Sequence, residues 1–240
     1  HLDEDPGPGG AGDIKDSDAT PNNGTAEASM TTGDLVTGQI GNALDFDGSD
    51  DFIDFASTDV GDTFTIQAWI KPDSTGGTKI QTIASNSSDG NTTDGFRFFI
   101  NSSGTNNGKI HFETGNGSAG NAAQTATGVI NFDQWNHAAV EVDRASGLAT
   151  IYHNGVDVTV DGTIRTDFNT SSDWEIGKME AGDLWFKGVI DEFRIGNVDR
   201  SADWVEASYL SQNGAFPFNT YAAEESSATG VESTDMAAPV

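Results

Sequence analysis

Residues 135–158 read WNHAAVEVDRASGLATIYHNGVDV, and this stretch decides the fold. Trp135–Val142 and Ala149–His153 are two apolar-alternating runs, with Ser146-Gly147 between them as a turn. Val140 and Val142 fall on one face of the first run, Glu141 and Asp143 on the other, the period of two that marks a half-buried strand. Asn154-Gly155 then supplies the residues of a tight hairpin turn into Val156–Val160, because both central positions of that turn need positive φ. Three strands joined by two short turns predict antiparallel β structure.

The same grammar extends in both directions. Upstream, Phe64–Ile70 (FTIQAWI) puts Phe64, Ile66, Ala68 and Ile70 on one face and Thr65, Gln67 and Trp69 on the other, and Lys71-Pro72 ends it. Asn42–Phe46 and Phe52–Phe55 flank Asp47-Gly48-Ser49-Asp50-Asp51, a turn composition. Ile80–Ala84, Phe96–Ile100, Lys109–Thr114, Trp174–Gly177 and Gly188–Ile195 are further short runs between polar loops. Many short strands without alternating helices predict a two-sheet sandwich or jelly roll rather than βαβ units. One helix is expected over Ala202–Ser211, capped by Ser201 with Asp203 in its first turn.

The 240 residues carry 38 acidic against 11 basic side chains, a formal charge of −27. That balance excludes nucleic-acid binding, which needs Lys and Arg on phosphates, and favours cation binding or a salty medium that screens self-repulsion. With no cysteine, disulfide scaffolds, zinc-thiolate sites and cysteine nucleophiles are excluded. No apolar run is long enough to insert in a membrane as a helix. Residues 1–212 read as one domain and 213–240 as an acidic, Ala/Ser/Thr-rich tail. That tail opens with Phe216, Pro217, Phe218 and Tyr221, aromatic residues that need a surface to pack on.

GNALDFDGSDDFIDF (41–55), FTIQAWIKP (64–72), the 135–158 stretch and GVIDEFRIGNVDRSADWVEASY (188–209) together resemble the laminin-G-like, concanavalin A-like jelly rolls of bacterial and archaeal surface proteins. HLDED with DSDATPNNGT (16–25) is similar to the opening strand and loop of that family. The resemblance implies an all-β, two-sheet antiparallel jelly roll with one short C-terminal helix, an extracellular or cell-surface location, and a structural Ca²⁺ near the sheet rim. The family's first strand begins a few residues before His1, which implies an incomplete edge open to pairing with another chain.

Hard cations take several oxygens. Asp47, Asp50 and Asp51 supply carboxylates on a Gly-containing turn, the resemblance places Asp191 nearby, and Asp16 and Asn22 on the opening loop are further Ca²⁺ candidates; the competing reading is ordinary turn chemistry. Related glucanases carry Glu-x-Asp-x-x-Glu; here Glu141 and Asp143 match but Ser146 stands third, so the acid/base partner is missing and the reading is non-catalytic. None of His1, His111, His137 and His153 stands in a nucleophile motif. For sugars, Trp69, Trp174 and Trp185 offer aromatic platforms while Trp135 reads as core; Trp185 with Asp183 and Lys187 is the preferred contact. Asn23, Asn86, Asn91, Asn101, Asn116 and Asn169 head Asn-x-Ser/Thr triplets in expected loops. Two functions stay open. One is a calcium-stabilised adhesive or filament subunit that self-associates through terminal segments, with Phe216, Phe218 and Tyr221 as assembly residues. The other is a lectin-like carbohydrate-binding module of a larger secreted protein.

Overall fold

The computed structural model describes residues 2–7, 12–17, 21–27, 29–57, 59–87, 91–179 and 184–214. Along the chain, β1 is Thr25–Ala26, β2 Leu35–Thr37, β3 Asn42–Asp47, β4 Ile53–Phe55 and β5 Thr63–Pro72. Consecutive antiparallel neighbours follow in β6 (Gln81–Ser85), β7 (Gly95–Ser102), β8 (Thr105–Gly115) and β9 (Gly120–Thr125). The remainder are β10 (Asn136–Asp143), β11 (Leu148–His153), β12 (Val156–Asp157), β13 (Thr159–Asp161), β14 (Trp174–Ile176), β15 (Lys187–Gly196) and the helix α1 (Ala202–Gln212).

The strands form two sheets, ordered β1-β4-β14-β6-β7-β8-β9-β13 and β12-β11-β10-β5-β15-β3-β2. Their inner faces meet in a core rich in aromatic rings. Phe96 packs edge-on to Trp174 at 4.4 Å between centroids, and Phe64 lies 6.1 Å from Phe96 and 6.2 Å from Phe112. This is the antiparallel sandwich the alternation predicts. The β11–β12 turn is also as expected: Asn154 (φ 51) and Gly155 (φ 80) both take positive φ.

Four expectations need correction. Thr65, Gln67 and Trp69 are buried, not solvent-facing, because a third layer covers this sheet. There the Trp69 indole Nε1 donates to Gln212 Oε1 at 2.8 Å, its ring lies 5.6 Å from Tyr209 of α1, and Thr65 Oγ1 donates to Val198 O. Trp135 precedes β10 and is half-buried, outside the core. The family-like opening strand is not formed over residues 2–7, although Leu2 is buried. Asn101 lies within β7 and is buried rather than in a loop, whereas Asn86 does fall in the loop after β6, though it is buried beside Gly95. The tail residues Phe216, Phe218 and Tyr221 lie outside the described residues.

Candidate functional site

The turn after β3 gathers three carboxylates. Gly48 (φ 80) reverses the chain. Asp47 Oδ1 accepts from the backbone N–H of Ser49 (2.7 Å) and Asp50 (3.2 Å), and Asp51 Oδ2 accepts from Asp47 N (2.8 Å). One carboxylate oxygen from each of Asp47, Asp50 and Asp51 lies within 4.8 Å of the others. Burial pushes the Asp51 carboxyl upward, with its hydrogen bond from Asp47 opposing. The turn chemistry and the acidic cluster therefore coexist: Asp47 and Asp51 each hold backbone N–H groups while the three carboxylates stay close together.

Asp191 does not join this cluster. On β15 it pairs with Trp69, whereas it is Lys187, four residues earlier, that pairs with Asp47. Its carboxylate is buried; Oδ2 accepts from Ile40 N (2.9 Å) and Oδ1 from Glu192 N (2.7 Å), and a Cβ on Gly38 would come within 2.6 Å of it. Asp191 thus pins the loop between β2 and β3. Asp16 and Asn22 are joined to each other, Asn22 N donating to Asp16 Oδ2 at 2.9 Å, but they too lie apart. Asn22 bonds Ala56 while Ser29 bonds Asp50, which puts the pair at the far end of that run from the acidic turn.

Directly after Asp51, Phe52 meets Trp185, with ring centroids 5.8 Å apart at 52°. The Lys178 ammonium sits 3.9 Å from the Phe52 centroid and 5.4 Å from that of Trp185, and donates to Glu175 Oε1 at 3.1 Å. Trp185 keeps part of its ring in solvent because the next residue, Phe186, is the one that turns inward, edge-on to Phe46 at 6.3 Å. Lys187 shares the exposed side with Trp185, but its ammonium is turned to Thr75 Oγ1 (2.7 Å) and Asp73 (3.7 Å). Asp183 lies outside the described residues. Sequence reasoning missed Phe52, Lys178 and Glu175; the one signal was the surplus phenylalanine ahead of the Ile53-Asp54-Phe55 alternation.

Other sequence candidates are absorbed by structure. Trp69 and Trp174 are buried. Glu141 Oε2 accepts from the Tyr152 hydroxyl at 3.1 Å, and Asp143 Oδ1 accepts from Ser146 N at 3.1 Å, so each carboxylate braces its own hairpin. On the outer face of the larger sheet Arg97 pairs with Glu113, Phe99 stacks on His111 at 4.8 Å, and Arg97 Nη1 donates to Met179 Sδ at 3.1 Å. Arg97, Phe99, His111 and Met179 are buried, and Glu113 keeps only a small share of its surface.

Residues 47–206 match the family model described as the concanavalin A-like lectin/glucanases superfamily, Laminin_G_3. Among solved structures, domain 4 of AbnA, a GH43 extracellular arabinanase from Geobacillus stearothermophilus, in complex with arabinotriose, is similar at 24% identity and a TM-score of 0.56, covering 72% of this chain and 78% of that one. The Ruminococcus gnavus IT-sialidase CBM40 bound to α2,3 sialyllactose is similar at 21% identity and a TM-score of 0.50, over 64% of this chain and 84% of that one. The binding domain of Paraclostridial Mosquitocidal Protein 1 is similar at 15% identity and a TM-score of 0.60; 82% of this chain covers 49% of that one. Comparison with curated protein sequences gave no match.

Proposed function

We propose that this chain, which belongs to the concanavalin A-like lectin/glucanases superfamily, is an extracellular, non-catalytic carbohydrate-binding module that holds a sugar against Trp185 at the rim of the sandwich. The observation that carries the reading is the half-open Phe52–Trp185 pair with Lys178 and Glu175 beside it. The C–H face of a pyranose or furanose ring lies flat on an aromatic ring, and its hydroxyls accept from an ammonium and donate to a carboxylate. Two neighbours of this fold were solved with arabinotriose and sialyllactose bound, which supports a saccharide ligand without identifying one. The Asp47–Asp50–Asp51 turn adjoins Phe52, and a structural Ca²⁺ there would fix the loop that carries the platform. Self-assembly through the tail stays an expectation, since its residues lie outside the described part of the chain.

A glycan panel probed with the whole chain tests this. Saturable binding to at least one glycan is expected, weakened roughly 30-fold by Trp185→Ala, the loss typical of a central aromatic contact of about 2 kcal/mol, with an unchanged circular dichroism spectrum. An empty panel, or equal binding by the variant, overturns the site.

A further inference from the structure

The rim that carries Trp185 is short of positive charge. β4 lies between β1 and β14, with Asp54 paired to Thr25 on one side and to Glu175 on the other. Glu27 N donates to Phe52 O at 3.0 Å, which carries the β1–β4 pairing one step further and sets Glu27 across from Phe52. Side chains two apart on a strand, and those directly opposite on its neighbours, share a face. Phe52, Asp54, Glu27 and Glu175 therefore stand together on the outer face of the larger sheet. Burial first, then the charges of Asp173 and Glu27, push the Asp54 carboxyl upward, and Lys178 opposes them. The Lys178 ammonium is matched by Glu175 at 3.1 Å, and Lys187 is turned to Thr75 and Asp73. Glu27, Asp54 and Asp173 are left without an ion pair among the described residues. A Ca²⁺ on the Asp47–Asp50–Asp51 turn would leave that turn at −1, three carboxylates less two charges, so the sign of the rim does not change.

Taking Trp185 as the sugar platform, we propose that this site selects saccharides with free, protonated amino groups over neutral ones and repels those that bear carboxylates. The rings attract an ammonium. That of Lys178 already lies 3.9 Å from the Phe52 centroid and 5.4 Å from that of Trp185, drawn by the negative face of each ring. An amino group on a sugar ring stacked against Trp185 meets the same ring charge distribution, and Glu27 and Asp54 supply acceptors beside Phe52 for its N–H groups. A carboxylate in its place meets like charges at Glu27, Asp54 and Asp173 and, beyond them, a chain of net charge −27, a field that disfavours any anion. A neutral hydroxyl is indifferent to these charges and ranks between. The selection is graded rather than absolute, because Asp173 is exposed and Glu27 and Asp54 are half-buried, where water keeps the effective dielectric high.

Titration calorimetry on the whole chain tests this with β-1,4-linked trimers of glucosamine, glucose and glucuronate, which share one ring configuration. The pH is about 6, where an amine beside electron-withdrawing carbons is protonated, and the salt about 0.15 M. The glucosamine trimer should bind about tenfold tighter than the glucose trimer, and the glucuronate trimer about tenfold weaker, one partly screened charge contact in each direction. Glu27→Gln/Asp54→Asn should bring the trimers within about threefold of one another. If that variant loses its native circular dichroism spectrum, Asp173→Asn is measured instead and should lower the preference about twofold. Trilysine serves as a cation without a sugar ring. Glucosamine binding that survives Trp185→Ala, or trilysine held in the same Trp185-dependent way, overturns the proposal. So does a glucosamine trimer that fails to bind, or a glucuronate trimer bound as tightly. In each of these cases a panel glycan lost on Trp185→Ala leaves the sugar platform standing, whereas a panel and trimers that all fail to bind overturn both.

Discussion

His137 shows how burial sets chemistry at single residues. It is 1% exposed between Trp69 (5.3 Å) and Tyr209 (6.1 Å), and neither ring nitrogen has a hydrogen-bond partner among the described residues. Burial first, then the charges of Arg194 and His153, pull its pKa down to about 4. Burial also lowers His153 to about 4, and burial with Lys109 and Arg97 does the same for His111. Unfolded histidines titrate near 6.5, so between about 6.5 and 4 the unfolded chain binds more protons. Stability supplied by the neutral imidazoles is therefore present above that window and lost as pH falls through it. Asp45, Asp54, Glu113, Glu141 and Asp191, raised chiefly by burial, act with the opposite sign, so the histidine contribution is isolated by difference. The Tm of His137→Gln relative to the native chain should rise steadily as pH drops from about 6.5 to about 4; a pH-independent difference would refute the assignment. Trp69, Trp174 and Trp185 look alike in sequence, and only the first two are buried. A tryptophan's share of solvent depends on which strand it faces and what lies on that strand, which single-residue chemistry does not encode.

At the scale of elements, α1 follows from local rules. Ser201 is its N-cap, with Oγ accepting from Trp204 N at 3.3 Å, and Asp203 lies in its first turn. Ser201→Ala should cost about 1 kcal/mol, read as a lower denaturation midpoint with an unchanged m-value. The Asn154-Gly155 turn and the alternation of β5 and β10 were equally legible, since turn geometry and the two-residue period are local. The place of Asp191 was not. Asp47, Asp50 and Asp51 meet because one short turn carries them, whereas Asp191 lands opposite Trp69 because pairing register places it there. Register is a property of two strands, and no residue of Gly188–Ile195 announces which position will face the acidic turn. Lys178 reaches Phe52 and Trp185 by the same kind of long-range placement.

For the molecule as a whole, a formal charge of −27 makes self-repulsion the dominant long-range term, and the three clustered carboxylates concentrate it at one rim. Monovalent salt should raise the Tm as the Debye length shrinks from about 30 Å at 0.01 M to about 3 Å at 1 M. A Ca²⁺ bound only to the folded state should raise it further at fixed ionic strength, with the increment removed by a chelator and by Asp50→Asn; a melt that ignores Ca²⁺ under these conditions would eliminate the metal site. Composition, strand period, turn residues and the helix cap determined from sequence alone that this chain is an all-β sandwich with one late helix, because each of those signals acts over a few neighbouring residues. Which tryptophan stays open, which aspartates meet, and how far β15 runs past its pairing with β3 were decided only in the tertiary structure. They depend on the register between strands far apart in the chain and on the layer that α1 adds to the smaller sheet.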